Sequence, residues 1–296
     1  METMTDTRTR AERRDRLLTV EGLKLHYSEW GAPADPPVVC VHGFSRNGRA
    51  FDTLARALAG EGFRVLCPDV PGRGLSEWST DPGTDYRPDD PDGLPRYLRG
   101  FCEAVADGDE PIRWVGTSMG GALGIRLAGG PLGDRISHLV VNDIGPGSLD
   151  PDPEVATTSD HIRQYRDPPT FRTLDELETC FGGRYGGRDP SVDLRHVTVT
   201  SARRTDDGSW AHDYDPAIVD AYLAAERPRD LWTEWDAIEA ETLVLRGTET
   251  HILPKSEFEA MRSRGPETEV LELPGVGHAP SLATDDQVEA VVSFLS

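Results

Sequence analysis

The serine in Gly116-Thr117-Ser118-Met119-Gly120 lies between the apolar runs RWVG and GGALGI. A G-x-S-x-G pattern in this position is typical of a tight strand-to-helix turn, in which the glycines let the backbone pass closely and the serine hydroxyl projects. A serine at such a turn can also do no more than cap the helix. The apolar runs on both sides favour the first interpretation, so Ser118 is the candidate nucleophile.

A serine nucleophile needs a base and donors that other parts of the chain must supply. His278 in ELPGVGHAPSL is the candidate base, because it lies between the last predicted strand and the C-terminal helix. The oxyanion donors are expected to be the backbone amides of Met119 and of Phe44, which follows His42-Gly43 at a strand end. Considered alone, His278 would be interpreted as a solvated side chain, and the turn at His42-Gly43 as the end of a strand without a catalytic role. Their combination with Ser118 favours catalysis.

The elements that would position these residues alternate along the chain. Apolar runs that each end in a glycine or turn predict strands, and helical segments lie between them, which is typical of a mainly parallel sheet covered by helices. The predicted strands are LLTVEG, LKLHYSEWG, PVVCVHG, FRVLCPDV, IRWVG, HLVVND, TLVLRG and EVLELPG. The predicted helices include AFDTLARALAGEG, GGALGIRLAGG and DDQVEAVVSFLS.

This alternation stops between about Gly145 and Trp235, where Pro, Asp and Gly are frequent. Two segments there, FRTLDELETCFGGRYGG and YDPAIVDAYLAAE, have apolar residues at helical spacing, which predicts a small helical insertion. The charged N-terminus lacks an apolar run and predicts a disordered leader. The expected division is a leader at 1–16, a core at 17–145 and 236–296, and a helical cap at 146–235.

Composition excludes several classes of function. The chain has 31 basic and 52 acidic residues and a formal net charge of -21, which repels nucleic acids and anionic membranes. No stretch is long and apolar enough to cross a bilayer. The four cysteines have neither metal-ligand spacing nor the density of a disulfide framework, and predict buried thiols in a reducing compartment. We therefore predict a cytoplasmic protein whose partner is a small-molecule substrate; the oligomeric state is not predicted.

Together, these motifs resemble the α/β-hydrolase superfamily over roughly residues 17–296. The matching pieces are His42-Gly43-Phe44, the segment DVPGRGLS at 69–76, the turn around Ser118, and Gly277-His278. Within the superfamily, the chain resembles the capped esterase, lipase and lactonase-like bacterial hydrolases. The resemblance implies an α/β-hydrolase fold with a mostly parallel eight-stranded sheet, a helical cap over the serine, and an acyl-enzyme reaction without metal or organic cofactor. Haloalkane dehalogenases and epoxide hydrolases of this fold carry aspartate where this chain has Ser118, so their chemistries are disfavoured.

The resemblance also shows that the usual acid is missing. In similar hydrolases the carboxylate that orients the histidine follows the seventh strand, where this chain has Thr250 and His251 in RGTETHILP. One replacement is Glu249 in the same loop. The other is Asp143 in HLVVNDIGP, since an acid after the sixth strand is known in the superfamily. We favour Asp143 and keep Glu249 as the alternative; an aspartate at 143 can also serve only to bond the next turn.

The predicted function is hydrolysis of a carboxylic ester, or a lactone, of a small and largely apolar substrate. Carbon-carbon bond hydrolysis and biosynthetic acyl transfer use the same machinery and stay open. The missing acid also leaves open a noncatalytic ligand-binding protein of the same fold. Trp210 and Tyr185 are the candidates for the substrate pocket, and Arg73 is expected to be a solvated surface residue.

Overall fold

The computed structural model describes residues 12–147, 162–183, 189, 192–224 and 230–296. In this part of the chain the strands are β1 Arg14–Val20, β2 Leu23–Trp30, β3 Pro37–Val41, β4 Arg64–Pro68, β5 Ile112–Thr117, β6 Ile136–Asn142, β7 Ala202–Arg204, β8 Trp210–His212, β9 Glu241–Gly247 and β10 Thr268–Leu273. Eight of them form one sheet in the order β1-β2-β4-β3-β5-β6-β9-β10. The pairs β1-β2 and β2-β4 are antiparallel, and every later pair is parallel. The predicted eight-stranded, mostly parallel sheet is confirmed.

Helices cover this sheet on both faces. In the described residues they are α1 Asp52–Gly60, α2 Pro82–Asp85, α3 Leu94–Val105, α4 Met119–Ala128, α5 Leu174–Phe181, α6 Leu194–Thr200, α7 Ala217–Leu223, α8 Trp232–Asp236, α9 Lys255–Ser263 and α10 Asp285–Leu295. A short 3₁₀ helix, Gly48–Phe51, precedes α1. None of the described helices combines the length and the apolar character that a bilayer span requires.

The central strand β3 shows how the sheet divides the core. All five residues of its sequence PVVCV are buried, because successive side chains of a strand point to opposite faces and both faces are covered. Val39 and Val41 belong to the apolar cluster that includes α3 and α4. Val38 and Cys40 belong to the cluster on the other face, with α1 and α10.

The first strand begins earlier than we expected. Residues 14–16, assigned above to a disordered leader, pair with β2 instead. The guanidinium groups of Arg14 and Arg16 lie 3.4 and 3.0 Å from a carboxylate oxygen of the buried Glu29 on β2. Charge at this edge of the sheet is thus compensated across the strands, which the sequence pattern did not indicate. Residues 1–11 of the predicted leader lie outside the described residues.

The segment between β6 and β9 differs from the expected all-helical insertion. Its described residues 162–183, 189, 192–224 contain α5, α6 and α7 but also the β7-β8 hairpin, and we call them the inserted segment. Strands of three residues are too short to show alternation, which is why the hairpin was missed. The core also resumes before residue 236, because Leu231, Trp232 and Trp235 pack in the main core cluster. That the inserted segment acts as a cap stays a prediction.

Candidate active site

Ser118 lies at the turn that joins β5 to α4. Its backbone angles are φ 51° and ψ -113°, a region that residues with a side chain rarely adopt. The Ser118 N–H donates to the carbonyl oxygen of Asn142 at 2.9 Å. A Cβ on Gly116 would lie 2.2 Å from the Gly120 oxygen, and one on Gly120 would lie 2.0 Å from the Val41 oxygen. Both positions therefore need glycine, and the turn holds the serine at the carboxyl edge of the sheet.

His278, in the loop after β10, lies between Ser118 and Asp143. Its Nε2 is 2.9 Å from Ser118 Oγ, and its Nδ1 is 2.8 Å from Asp143 Oδ2. The histidine side chain is 8% exposed and that of Asp143 is 0% exposed. Because a carboxylate only accepts hydrogen bonds, Nδ1–H donates to Asp143 and Nε2 is left to accept from the serine hydroxyl. This arrangement is suited to removal of the serine proton.

Asp143 reaches the histidine from the end of β6. Its φ of 59° turns the chain sharply after the strand, a conformation that aspartate tolerates better than most residues. The Asp143 N–H donates to the Leu245 oxygen at 2.8 Å, and Oδ1 accepts from the Gly247 N–H at 3.1 Å. One carboxylate oxygen thus binds the end of β9 and the other binds His278. The structure brings Asp143 to the histidine.

Glu249, the alternative acid, is placed differently. Its side chain is exposed, and its N–H donates to the Val276 oxygen at 2.9 Å. Both ring nitrogens of His278 are already engaged by Ser118 and Asp143. Glu249 is therefore not the carboxylate that contacts the histidine in this structure.

Asn142 ties the three site segments together. Its Nδ2 donates to Thr117 Oγ1 at 3.1 Å and to the Pro280 oxygen at 2.9 Å. Thr117 precedes Ser118, Pro280 follows His278 by two residues, and Asn142 itself precedes Asp143. The sequence alone did not single out this residue, although a buried polar side chain at the end of the apolar run HLVV was a visible signal.

The candidate oxyanion turn is held by the buried ring of His42. Its Nε2 accepts from the Val70 N–H at 3.0 Å, and its Nδ1 lies 2.7 Å from the Gly43 oxygen. Burial lowers the pKa of His42 to about 4, so the neutral ring donates from Nδ1 and accepts at Nε2. A Cβ on Gly43 would lie 3.7 Å from Ser118 Cβ. The turn that leads into Phe44 therefore lies directly against the serine.

The backbone N–H groups of Phe44 and Met119 have no acceptor among the described residues. Met119 is the first residue of α4, where the N–H groups of a helix lack intrahelical partners. Both amides can therefore serve a ligand oxygen.

A model of the alpha/beta hydrolase family matches residues 38–293, from β3 into α10. The chain belongs to the α/β-hydrolase family. A 3-hydroxybutyrate-oligomer hydrolase of Cupriavidus necator is 35% identical over 290 residues, covering 92% of this chain and 93% of that protein. An esterase of Mycobacterium tuberculosis is 30% identical over 223 residues, covering 74% of this chain and 67% of that protein. The predicted family is confirmed. Of these two relatives, one is named as a hydrolase and the other as an esterase.

Solved structures agree with the fold of this α/β hydrolase. A crystal structure of an α/β hydrolase from Novosphingobium aromaticivorans superposes with a TM-score of 0.81 at 33% sequence identity. The match covers 96% of this chain and 98% of that one. The similarity therefore includes the sheet and both parts of the core.

We expected Arg73 to be a solvated surface residue, and this expectation was wrong. In this α/β hydrolase Arg73 is 0% exposed. Its Nε donates to the Phe44 oxygen at 2.9 Å, its Nη1 donates to the Pro71 oxygen at 2.8 Å, and its Nη2 lies 3.7 Å from Met119 Sδ. Burial lowers the pKa of Arg73 to about 10. The sequence did contain a signal for this position. Arg73 lies between two glycines in the loop after β4, at the carboxyl edge of the sheet.

The candidate pocket residues have other surroundings. Trp210 on β8 exchanges backbone hydrogen bonds with Phe171, and the Arg204 guanidinium lies 3.9 Å from its ring centroid. These contacts explain Trp210 as packing of the inserted segment and give no support to a substrate contact. Tyr185 lies outside the described residues. Among the described residues of the inserted segment, Tyr165 and Tyr222 have ring centroids 5.8 and 5.3 Å from that of Phe44.

Proposed function

We propose that this α/β hydrolase cleaves carboxylic esters of small, largely apolar substrates through an acyl-enzyme. The observation that carries the proposal is the hydrogen-bonded series Ser118, His278 and Asp143, with distances of 2.9 and 2.8 Å. Esterases among the relatives support ester hydrolysis. A noncatalytic protein would have no need of a strained serine aligned with a base and a buried acid.

In the proposed reaction, Ser118 Oγ attacks the acyl carbon while Nε2 of His278 takes the hydroxyl proton. Asp143 stabilises the imidazolium that forms, and the Phe44 and Met119 amides bind the oxyanion. The ester C–O bond then breaks, and His278 returns the proton to the leaving alcohol. A water molecule, deprotonated by His278, attacks the acyl-enzyme, and the carboxylic acid leaves as Ser118 Oγ regains its proton.

Linear oligoesters of 3-hydroxybutyrate are the first substrate class to test. The Cupriavidus necator relative, which its name describes as acting on 3-hydroxybutyrate oligomers, aligns along nearly the whole of both chains. The bond in such oligomers is an ordinary aliphatic ester, which the proposed reaction cleaves without further machinery.

The first prediction concerns the nucleophile. A fluorophosphonate probe is expected to label wild-type protein at Ser118, because the probe reacts with an activated serine. Ser118→Ala should lose both the label and turnover of p-nitrophenyl butyrate. Ser263→Ala is the matched control, since Ser263 lies on the surface at the end of α9, and it should be labelled as wild type. Mass spectrometry of the labelled peptide identifies the site.

The substrate panel separates the remaining chemistries. It comprises p-nitrophenyl esters of increasing acyl length, 3-hydroxybutyrate dimers and trimers, and lactones. Turnover of the linear esters supports the proposal. Folded protein that is neither labelled nor active on any member contradicts it, whereas labelling without turnover favours the carbon-carbon hydrolase or acyltransferase alternatives.

A further inference from the structure

A guanidinium group lies behind the proposed oxyanion hole. Two of the three atoms to which the Arg73 guanidinium donates belong to Phe44 and Met119, the same residues whose amides the proposed function assigns to the oxyanion. The third is the carbonyl oxygen of Pro71. Arg73 thus contacts both residues of the proposed hole, through the Phe44 carbonyl oxygen and the Met119 sulfur, and is itself too deeply buried to touch a substrate.

This charge is buried without a carboxylate in contact, which ordinarily costs much free energy. No described Asp or Glu forms an ion pair with Arg73. Burial lowers the pKa of Arg73, and the interactions with Tyr86 and with the negative charge of Asp215 offset this only in part. The Asp215 carboxylate accepts from Tyr86 Oη at 2.9 Å and from the Ala217 N–H at 3.0 Å. The Phe44 and Tyr86 rings lie 5.4 and 5.7 Å from the guanidinium. The positive charge is therefore kept and not neutralised at close range.

The backbone of Arg73 is held on two sides. Its N–H donates to the Val70 oxygen at 3.0 Å, and an isolated antiparallel bridge pairs it with Tyr214 of the inserted segment. The loop is thus fixed between the core and the inserted segment. The backbone that carries the guanidinium is therefore anchored next to the proposed hole.

We propose that Arg73 is a positioning residue of the oxyanion hole, which holds Phe44 and Met119 in place and supplies a fixed positive potential to the developing oxyanion. This inference rests on the proposed function. In a site with little water, a preorganised positive charge stabilises the charged transition state more than the neutral bound ester. Such a charge raises kcat more than it lowers KM.

The test compares Arg73→Met, which removes the charge, with Arg73→Lys, which keeps the charge but not the three contacts. Measurements are kcat and KM for p-nitrophenyl butyrate, and the inhibition constants of a trifluoromethyl ketone and of an uncharged amide analogue. The ketone forms a tetrahedral anion on the serine, whereas the amide imitates the bound ester. For Arg73→Met we expect kcat to fall roughly 10- to 100-fold, less than or similar to the loss of a direct oxyanion donor.

The two inhibitors separate positioning of the hole from general structural damage. Affinity for the trifluoromethyl ketone should fall by the same factor as kcat/KM, while KM and amide affinity change by less than about threefold. Arg73→Lys should lie between Arg73→Met and wild type. Arg96→Met is the matched control, since Arg96 also stacks on an aromatic ring, that of Tyr97 at 4.8 Å, but lies on α3 outside the site; its kcat should equal that of wild type.

Folded Arg73→Met with kcat within about twofold of wild type would overturn the inference. An equal loss of affinity for both inhibitors would also overturn it, because it would indicate a collapsed site. If Arg73→Met does not fold, Arg73→Lys tests the positioning role by itself, because it removes the three contacts and keeps the charge; unchanged kcat and ketone affinity in folded Arg73→Lys would then overturn that role. Wild-type protein that fails to react with the fluorophosphonate counts against the proposed function itself, whereas labelled wild type with unaffected Arg73 variants counts against this inference alone.

Discussion

At the scale of single residues, the main question is how the site obtains its acid. Strand β9 ends in Arg246-Gly247, but the loop that follows has no aspartate at 250 or 251. In the structure Thr250 stabilises the turn in which it lies, since its Oγ1 accepts from the Ile252 N–H at 3.2 Å. Asp143 comes from β6, which pairs directly with β9. Because the two strand ends are neighbours, a carboxylate on either one can approach the same histidine nitrogen.

Asp143→Asn is expected to lower kcat by three to four orders of magnitude, as loss of the orienting acid does in serine proteases. The amide would no longer hold the tautomer in which Nε2 accepts, nor would it stabilise the imidazolium. Glu249→Gln is the matched control, because it removes the exposed carboxylate of the alternative acid. Its kcat should stay within about twofold of wild type. The measurement is kcat/KM together with the rate of fluorophosphonate labelling. Severe impairment of Glu249→Gln alone would transfer the role to Glu249.

At the scale of elements, the site depends on the mutual placement of three strand ends. Asn142 fixes it with two side-chain hydrogen bonds, one to the residue before the serine and one to the loop after the histidine. Neither contact is local in sequence, since Pro280 is 138 residues away from Asn142. A small displacement of any one end would lengthen the bond between Ser118 and His278.

Asn142→Leu should lower the free energy of unfolding by about 1–3 kcal/mol, because it leaves buried groups of Thr117 and Pro280 unpaired. We expect kcat to fall about tenfold or more, since misplacement of catalytic groups is costly. Thr117→Val removes only one of the two bonds and should have a smaller effect on both quantities. Denaturant titration and steady-state kinetics measure them. Wild-type kcat in folded Asn142→Leu would show that the tie does not position the site.

At the scale of the whole molecule, the inserted segment is joined to the core close to the site. The Asp215 N–H donates to the Gly72 oxygen at 2.8 Å, and the Gly74 N–H donates to the Asp213 oxygen at 3.3 Å. The Asp213 side chain is half-buried at this junction. Burial and the charge of Asp69 raise the pKa of Asp213 to about 6, against a smaller opposite effect of Arg203.

This shift predicts a pH-dependent stability. A raised acid pKa means that the folded protein opposes ionisation of Asp213, so its contribution to stability is present below about pH 4 and lost as the pH rises through about 6. Asp213→Asn cannot ionise and should unfold with about 1–3 kcal/mol more free energy than wild type at pH 8, but with no gain at pH 4. Denaturant titrations at the two pH values measure the difference.

Asp236→Asn is the control for this prediction. Asp236 is exposed and pairs with Arg264, whose hydrogen bond lowers the pKa of that carboxyl. The pKa of Asp236 is lowered, whereas that of Asp213 is raised, so ionised Asp236 stabilises the folded protein. Asp236→Asn should therefore not gain stability at pH 8. An equal gain for Asp213→Asn at both pH values would contradict the ionisation argument and point to packing instead.

The sequence by itself determined the features that depend on local chemistry. The glycines around Ser118 are required by backbone contacts within one turn, and the alternation of apolar strands and helices is a short-range pattern, so both were readable. Tertiary structure decided what depends on which distant segments become neighbours. It brought Asp143 and not Glu249 into contact with His278, joined Asn142 to Pro280, buried Arg73 next to Phe44 and Met119, and paired residues 14–16 with β2. These contacts link positions far apart in the chain. Residue type and local spacing do not predict them, because they depend on the order of the strands in the sheet.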